Sequence, residues 1–435
     1  MKTLTLDYKS IIKHELISGS FYIFLGSIIS NILAFFLNLF LARSLSYSDY
    51  AIFASLLSVI TLASIPASSI NTIIVKFVTD LFVKKEFDKL KALYFQFAKY
   101  IFYISVLILV LFLFLSPIIQ SFLHLDSIWY VILAGLVVVS FYVSTLNTAF
   151  MQGSFKFGFI SLVTILGGIL KLISGVILVV LGFKAFGGLW AILIMSLGIF
   201  IAGFLPLKKI LINNPTSKIK FNTKDFFSYA LPAFATVLFM TSFTSMDVIL
   251  VKHFFSSQSA GFYSGLSLIG KVIFYFTAPI PLVMFPLLIK SRASGTNFNN
   301  LFYLSLFLVF LPSITITLFY FLRPAFIINI FLGGREYLRI ANYLWIYGLY
   351  ITIFSLINVF VNFFLSLRVM KVSLLVIGGG ISQIFFISLF HKSFLEVITV
   401  SIVTSFILLI LLFIYFLRER KQLSIAPVIP IQSAV

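Results

Sequence analysis

Twelve apolar stretches, each about as long as a bilayer-spanning helix, divide this chain of 435 residues. A helix needs about 20 predominantly apolar residues to cross the hydrocarbon of a membrane. The composition agrees, since 61% of the residues are hydrophobic and 10% are charged, whereas a soluble domain averages about 45–50% apolar and about 25% charged residues. We therefore predict an all-α, polytopic membrane protein with about 12 transmembrane helices.

The apolar stretches form two sets of six on either side of the longest polar segment, "KKILINNPTSKIKFNTKD". The first set comprises Ile17–Leu41, Tyr50–Val75, Leu93–Leu115, Ile128–Phe150, Phe159–Gly182 and Ala185–Leu207. The second set comprises Phe226–Val251, Gly261–Ile289, Asn300–Leu322, Tyr337–Leu365, Val372–Phe390 and Val397–Leu417. We expect an N-terminal six-helix lobe at 1–207, a linker at 208–225, a C-terminal six-helix lobe at 226–417 and a tail at 418–435.

Lysine and arginine are distributed unevenly over the polar segments, and this predicts the orientation of the helices. Of the 31 such residues, 21 fall in the termini and loops on one side of the predicted spans and seven fall on the other side. The positive-inside rule assigns the richer side to the cytoplasm, so the linker and both termini are predicted to be cytoplasmic. Trp129, Trp190 and Trp345 lie near the predicted outer ends of their spans, where aromatic rings favour the interface.

The sequence gives little support to other classes of protein. The formal net charge of +19 comes mostly from the short loops, so it indicates topology and not a nucleic-acid partner. The chain has no cysteine, which excludes disulfides and thiol-ligated metals. The four histidines fall apart from one another, without the spacing of metal ligands: His14, His124, His253 and His391. We expect neither a cofactor nor an enzymatic reaction, and no cleavable signal peptide is evident.

A short pattern occurs twice, about half the length of the chain apart: "LARSLSYSDYAIFASL" after the first span and "DVILVKHFFSSQSAGFYSGLSLIGK" at the seventh. Three polar pairs align between the copies: Asn38 with Asp247, Arg43 with Lys252, and Ser46 with Ser256. Because six spans separate the copies, both copies enter the membrane in the same orientation. Such parallel repeats occur in secondary transporters, whose site lies between the two halves.

These two stretches resemble the corresponding stretches of the oligosaccharide flippase family. That family belongs to a larger superfamily that also contains drug/cation antiporters and peptidoglycan-precursor flippases. The resemblance implies two parallel six-helix lobes around a central cavity and transport by alternating access. It further implies that an undecaprenyl-pyrophosphate-linked oligosaccharide is carried from the inner to the outer leaflet of the bacterial cytoplasmic membrane, with a glycan polymerase as a potential partner.

Three lysines fall within the predicted spans. Lys99 lies a turn or two inside the third span, so its side chain can reach the interface. Lys171 lies about 12 residues, roughly 18 Å, from either end of the fifth span, and Lys271 lies about ten residues, roughly 15 Å, into the eighth. A lysine at mid-bilayer costs about 2.5–3.5 kcal/mol on insertion scales and therefore faces a wet cavity or a partner. We predict that Lys171 and Lys271 bind the substrate pyrophosphate; the alternative is a buried pair with a carboxylate.

Three further residues are candidates at the outer ends of spans. Arg43 and Lys252 occupy equivalent ends of the first and seventh spans, where they either contact the substrate at an outward gate or anchor the helices at the interface. Asp247 is the one acid well within a predicted span. It either binds a coupling proton or sodium ion, as intramembrane carboxylates do, or forms a salt bridge to Lys252 or caps the helix.

Three alternatives to an oligosaccharide flippase remain. A drug or cation antiporter would need carboxylates in its cavity, but the chain has only 12 acidic residues. A peptidoglycan-precursor flippase typically carries two more helices than this chain provides. A membrane glycan polymerase or ligase usually has a large outer loop, whereas the longest outer segment here is about 14 residues, "RPAFIINIFLGGRE".

Overall fold

The computed structural model describes the backbone of residues 8–211, 224–293, 299–367 and 369–425, and the side chains of residues 22–208, 234–285, 287–288, 299–367 and 369–418. Every regular element in these ranges is a helix, which confirms the all-α prediction. Residues 1–7, residues 212–223 of the predicted linker, Arg368 and residues 426–435 of the predicted tail lie outside the described residues.

The chain divides into two compact units, Met1–Lys224 (unit 1) and Asp225–Val435 (unit 2). The helices of unit 1 are α1 (Tyr8–Ser44), α2 (Tyr47–Val83), α3 (Phe87–Phe122), α4 (Trp129–Gly153), α5 (Phe157–Val180) and α6 (Lys184–Leu211). Unit 2 begins with α7 (Lys224–Phe254), α8 (Ser257–Gly270), α9 (Val272–Thr277), α10 (Pro279–Ala293) and α11 (Asn299–Leu322). It continues with α12 (Pro324–Leu332), a 3-10 helix (Arg335–Ile340), α13 (Ala341–Ser366), α14 (Val372–Leu389) and α15 (Phe394–Ile425).

Within the described ranges, 12 helical segments are long and apolar enough to cross a membrane, which confirms the predicted number. Several helices extend beyond the predicted spans. Helix α2 has 37 residues, roughly 55 Å at 1.5 Å per residue, against a hydrocarbon core of about 30 Å. The apolar run marks only the part of the helix that fits the hydrocarbon. The helix itself ends further on, where Lys85 takes a left-handed φ of 59°.

The eighth predicted span is divided into three helices. Helix α8 ends at Gly270, Lys271 forms a turn, and α9 runs for only six residues before α10 begins at Pro279. Proline lacks the amide hydrogen that would continue a helical hydrogen-bond ladder, so the second break falls where the sequence places one. The outer segment after α11, which was expected to be a loop, instead forms α12 and the 3-10 helix.

The repeated sequence pattern corresponds to a repeated structure. In both units the second helix starts with a serine N-cap of nearly the same conformation, Ser46 with φ −61° and ψ 154° and Ser256 with φ −58° and ψ 150°. Each serine oxygen accepts a hydrogen bond from the backbone amide three residues later, at 3.1 Å from Asp49 and 3.3 Å from Ser259. The aligned serines therefore both cap the N-terminus of a helix, because each side chain satisfies an otherwise unpaired amide of the first turn.

Glycines bring corresponding helices together within each unit. In unit 1, α1 packs on α5, with Gly26 against Ser161 and Gly168 against Ser30. In unit 2, α7 packs on α14, where Gly380 contacts Phe239. Small residues let the backbones of membrane helices approach closely. In both units, then, the first span packs on the fifth.

Candidate functional site

The carboxylate of Asp247 on α7 in unit 2 is fully buried. Two tyrosine hydroxyls donate to its Oδ2 atom, Tyr263 on α8 at 3.1 Å and Tyr347 on α13 at 2.8 Å. The other oxygen, Oδ1, is also buried and has no hydrogen-bond partner among the described residues. A buried carboxylate oxygen without a donor is costly, so this oxygen is a potential ligand for a proton or a small cation.

The glycines of α8 allow the tyrosines to reach this carboxylate. A Cβ atom on Gly270 would overlap the ring of Tyr347, and one on Gly265 would lie 2.6 Å from the ring of Tyr337. The rings of Tyr263 and Tyr347 meet edge to face, with their centroids 5.9 Å apart. The hydroxyl of Tyr347 also lies 3.0 Å from Ser267 Oγ. The position of the carboxylate thus depends on close contact between α8 and α13.

A second polar cluster lies beside the first. Gln383 on α14 is fully buried, and its Nε2 atom donates to the carbonyl of Phe243 at 3.2 Å, to the hydroxyl of Tyr350 at 3.1 Å and to Ser401 Oγ at 3.0 Å. The hydroxyl of Tyr350 in turn donates to the carbonyl of Phe243. The rings of Tyr347 and Tyr350 are 5.5 Å apart, which connects the two clusters, and Gln383 Oε1 is a second buried oxygen without a partner.

Lys271 lies close to this network without joining it. It occupies the turn between α8 and α9, its side chain is partly exposed, and its charge interacts with that of Asp247. Neither residue takes part in a salt bridge of 4.0 Å or less within the described part of unit 2. The predicted alternative of a buried pair between a lysine and a carboxylate is therefore not seen at Lys271. The alternative of a salt bridge from Asp247 to Lys252 is also not seen among the described contacts, where two tyrosine hydroxyls hold the carboxylate.

Lys171 is a buried cation in the middle of a span of unit 1. Its side chain is 8% exposed, in the middle of α5. Gly168 and Gly175 lie three and four residues away, on the same face of the helix, and both contact α1, at Ser30 and at Leu37 respectively. Over the part of the chain whose side chains are described, the ammonium group of Lys171 makes no hydrogen bond or ion pair. Its ammonium group is thus held near α1 without a carboxylate to balance it.

Arg43 and Lys252, which are aligned in sequence, differ in their surroundings. Arg43 is exposed in the last turn of α1. The side chain of Lys252 is 1% exposed, and its Nζ atom donates to Ser257 Oγ at 2.7 Å. Lys252 thereby ties the end of α7 to the start of α8. A substrate-binding role for either residue stays a prediction.

The tyrosine pair around Asp247 was missed by the sequence analysis, although the glycines of α8 were a signal for a close helix contact. Another buried amide, Asn147 on α4, is fully satisfied: it accepts from the Tyr94 hydroxyl at 2.7 Å and donates to the carbonyl of Phe200 at 2.7 Å. It is therefore a structural residue. The described residues contain no group of three histidine, aspartate or glutamate side chains that could hold a metal ion.

The solved structures that resemble this chain include a multidrug transporter and a lipid flippase. A multidrug resistance MATE family transporter of the MOP superfamily, in an inward-facing conformation, matches with a TM-score of 0.75 and 12% identity, over 90% of this chain and 94% of its own. The lipid II flippase MurJ, in an inward closed conformation, matches with a TM-score of 0.66 and 18% identity, over 92% of this chain and 87% of its own. At such identities the likeness shows the fold, which is MATE-like.

Sequence comparison adds a membrane-protein relative and a family. An uncharacterized membrane protein of Methanocaldococcus jannaschii is 25% identical over 385 residues, covering 78% of this chain and 90% of the relative. The family model described as "Polysaccharide biosynthesis protein" matches residues 40–342, from the end of α1 to the start of α13. The resemblance seen in the two loop motifs is thereby confirmed, and the chain belongs to the polysaccharide biosynthesis protein family.

Proposed function

We propose that this membrane transporter is a flippase for undecaprenyl-pyrophosphate-linked oligosaccharides, such as a repeat unit of O-antigen or capsule. It would carry them from the inner to the outer leaflet of a bacterial cytoplasmic membrane by alternating access, with both termini in the cytoplasm. Membership of the polysaccharide biosynthesis protein family and the fold of known transporters and flippases support a transport role in glycan assembly. The substrate class rests on the chemistry of the buried residues.

Lys171 is the observation that carries the proposal. A lysine at mid-span costs about 2.5–3.5 kcal/mol on insertion scales, and such residues mark substrate or ion paths. Lys171 is almost fully buried and no carboxylate is paired with it in the described residues. An anion is the ligand that would balance this charge, and phosphate oxygens form strong, charge-assisted hydrogen bonds with an ammonium group. A lipid pyrophosphate supplies such oxygens while its polyprenyl chain stays in the bilayer.

Lys271 is also proposed to bind the substrate pyrophosphate. The residue lies in a turn between two helices, is partly exposed, and its side chain makes no hydrogen bond or ion pair among the described residues. Arg43 remains proposed as a contact at an outward gate, since it is exposed at a helix end. Lys252 is proposed to contribute there only indirectly, through its bond to Ser257.

Asp247 is proposed to bind the coupling ion, either a proton or sodium. Its unpartnered Oδ1 atom supports this role, because a proton or a cation would complete the coordination that Tyr263 and Tyr347 begin at Oδ2. Intramembrane carboxylates commonly carry protons in pumps and transporters. A buried lysine in unit 1 and a buried carboxylate in unit 2 would divide anion binding and energy coupling between the two units.

The same carboxylate also favours a second candidate, a cation-coupled multidrug antiporter. The MATE family transporter with a TM-score of 0.75 is described as a multidrug resistance protein, and a buried carboxylate suits a cationic drug. Lys171 argues against this candidate, because an unpaired cation repels a cationic substrate. A membrane polymerase or ligase is less well supported, since the described residues show no large outer domain.

Deletion of the gene in the native host tests the proposal. We expect loss of surface polysaccharide and accumulation of intact polyprenyl-linked repeat units that face the cytoplasm, as measured by extraction and a leaflet-specific probe. Unchanged surface polysaccharide with increased sensitivity to cationic dyes would favour the antiporter. Loss of polysaccharide with lipid-linked single units already in the outer leaflet would favour a polymerase.

A further inference from the structure

An open groove of about 460 Å³ runs along unit 2 between α11 and α15, with α13 as its floor. Its lining is apolar throughout: Leu306, Phe307, Phe310, Leu356, Phe360, Leu409, Ile410 and Phe413. The floor residue Phe360 is 4% exposed, whereas the wall residues Phe310 and Phe413 are 46% and 47% exposed. A ligand of this groove must be a hydrocarbon, because the lining offers no group that can hydrogen-bond.

All three helices place the groove at the same depth. On α11 the lining residues lie 7–11 positions after the start of the helix at Asn299, and on α13 they lie 6–10 positions before its end at Ser366. On α15 they lie 5–9 positions before Arg418. These offsets correspond to roughly 8–17 Å along each helix. The hydrocarbon core is about 30 Å thick. Most of the groove therefore lies in the half of the spans that the positive-inside rule assigns to the cytoplasmic leaflet.

The groove is closed toward the cytoplasm and open toward the lipid. Phe302, Phe363 and Phe416 are fully buried at its cytoplasmic end, with the ring of Phe302 at 4.3 Å from that of Phe363 and 4.7 Å from that of Phe416. The ring of Phe360 packs on Phe302 at 5.1 Å, edge to face. A ligand must consequently enter sideways, from within the bilayer. That route is open to a lipid and closed to a soluble metabolite.

From these observations we infer that the groove binds the polyprenyl chain of an anionic polyprenyl-phosphate lipid in the inner leaflet. The inference rests on the proposed function and assigns a holding site to the substrate's tail. Lipid tails are as apolar as the groove, so preference for one tail must come from van der Waals packing. The rings of Phe310 and Phe413 on the walls and of Phe360 on the floor are proposed to pack better on the methyl branches of a polyprenyl chain than on an unbranched acyl chain. Lys371 before α14 and Arg418 on α15 are exposed at helix ends that the positive-inside rule assigns to the cytoplasm, where their charges would complement the phosphate.

The test measures binding of a sugar-free probe, undecaprenyl phosphate, to the full-length protein by native mass spectrometry, with dioleoylphosphatidylglycerol as the competing anionic lipid. Leu306→Trp fills the groove. The matched control is Leu304→Trp, because Leu304 is 52% exposed on another face of α11 and does not line the groove. We expect binding of undecaprenyl phosphate to fall about tenfold in Leu306→Trp, the change that corresponds to about 1.4 kcal/mol, and to stay unchanged in Leu304→Trp.

Three results would overturn the inference: equal binding to the two variants, equal retention of dioleoylphosphatidylglycerol on the wild type, or dimerisation of the wild type that Leu306→Trp abolishes. The last would make the groove an interface between two copies. Export of glycan is measured separately in cells. Export of glycan without binding of the probe would refute the inference about the groove and leave the proposed function standing. Binding of the probe without export would support the groove as a lipid site and refute the proposed function.

Discussion

Replacement of Lys171 by methionine is expected to stabilise the protein while it abolishes transport. Methionine is similar in length and apolar, so it keeps the packing between α5 and α1 and removes only the charge. Lys171 is 8% exposed and makes no ion pair in the described structure. The burial cost of a lysine, about 2.5–3.5 kcal/mol on insertion scales, is therefore largely uncompensated. We expect Lys171→Met to raise the free energy of unfolding by about 1–3 kcal/mol, less than the full cost because an ammonium group retains some water.

The assay is unfolding by sodium dodecyl sulfate in mixed micelles, followed through the fluorescence of the three tryptophans. Export is measured in the same variants as surface polysaccharide, normalised to protein in the membrane. Lys99→Met is the matched control, because it makes the same change at an exposed lysine that contacts the Tyr103 ring at 5.9 Å. This control is expected to change neither stability nor export appreciably. Lys171→Arg keeps a cation and is expected to retain part of the export.

Two results would refute this reasoning. A Lys171→Met variant that unfolds more easily than the wild type would mean that the ammonium group has a stabilising partner. A stabilised variant with normal export would mean that the charge is not needed for the substrate, and the anion-binding role of Lys171 would be wrong. Opposite changes in stability and activity are expected where a residue is kept for function at a cost in stability.

Three further predictions concern unit 2 and its repeated helix start. Asp247→Asn is expected to make transport in proteoliposomes independent of both a sodium and a proton gradient, and retained gradient dependence would rule out the coupling role. Gly270→Ala is expected to lower the free energy of unfolding by about 1–3 kcal/mol, because its methyl group would overlap the Tyr347 ring. In the control Gly378→Ala the methyl group meets open space, so this variant should be neutral or stabilised by up to about 1 kcal/mol. Equal effects of the two variants on unfolding in detergent would contradict the contact between Gly270 and Tyr347. Ser256→Ala should lower the free energy of unfolding by about 0.5–2 kcal/mol through loss of the N-cap. No change in the free energy of unfolding would show that the cap is dispensable.

Much of the fold could be predicted from the sequence, because every helix that crosses the hydrocarbon needs about 20 predominantly apolar residues. Runs of apolar residues gave the 12 spans, and the repeated pattern around Ser46 and Ser256 gave two equivalent helix starts. The break at Lys271 could be expected from Gly270 before it and Pro279 after it. The ends of α2 and α3 could not be predicted, since the part of a helix beyond the hydrocarbon needs no apolar residues.

The candidate site was only partly predictable. The position of Lys171 in the middle of a span was enough to predict a costly charge there, but not its burial without a carboxylate. The partners of Asp247 were not predictable, because Tyr263 and Tyr347 lie on different helices that meet only in the folded unit. Tyrosine is also common at membrane interfaces, so the residue type gave no hint of burial. The difference between Arg43, which is exposed, and Lys252, which is buried, likewise depends on the helix that follows each of them.

The most direct test of the central claim is translocation by the purified protein in proteoliposomes. Lipid-linked repeat units from the deletion strain are placed in the inner leaflet of the vesicles, and a membrane-impermeant glycosidase or lectin reports their arrival in the outer leaflet. We predict translocation by the wild type, loss of it in Lys171→Met and normal rates in Lys99→Met. Translocation that is equal in all three, or no faster than in protein-free vesicles, would contradict the account.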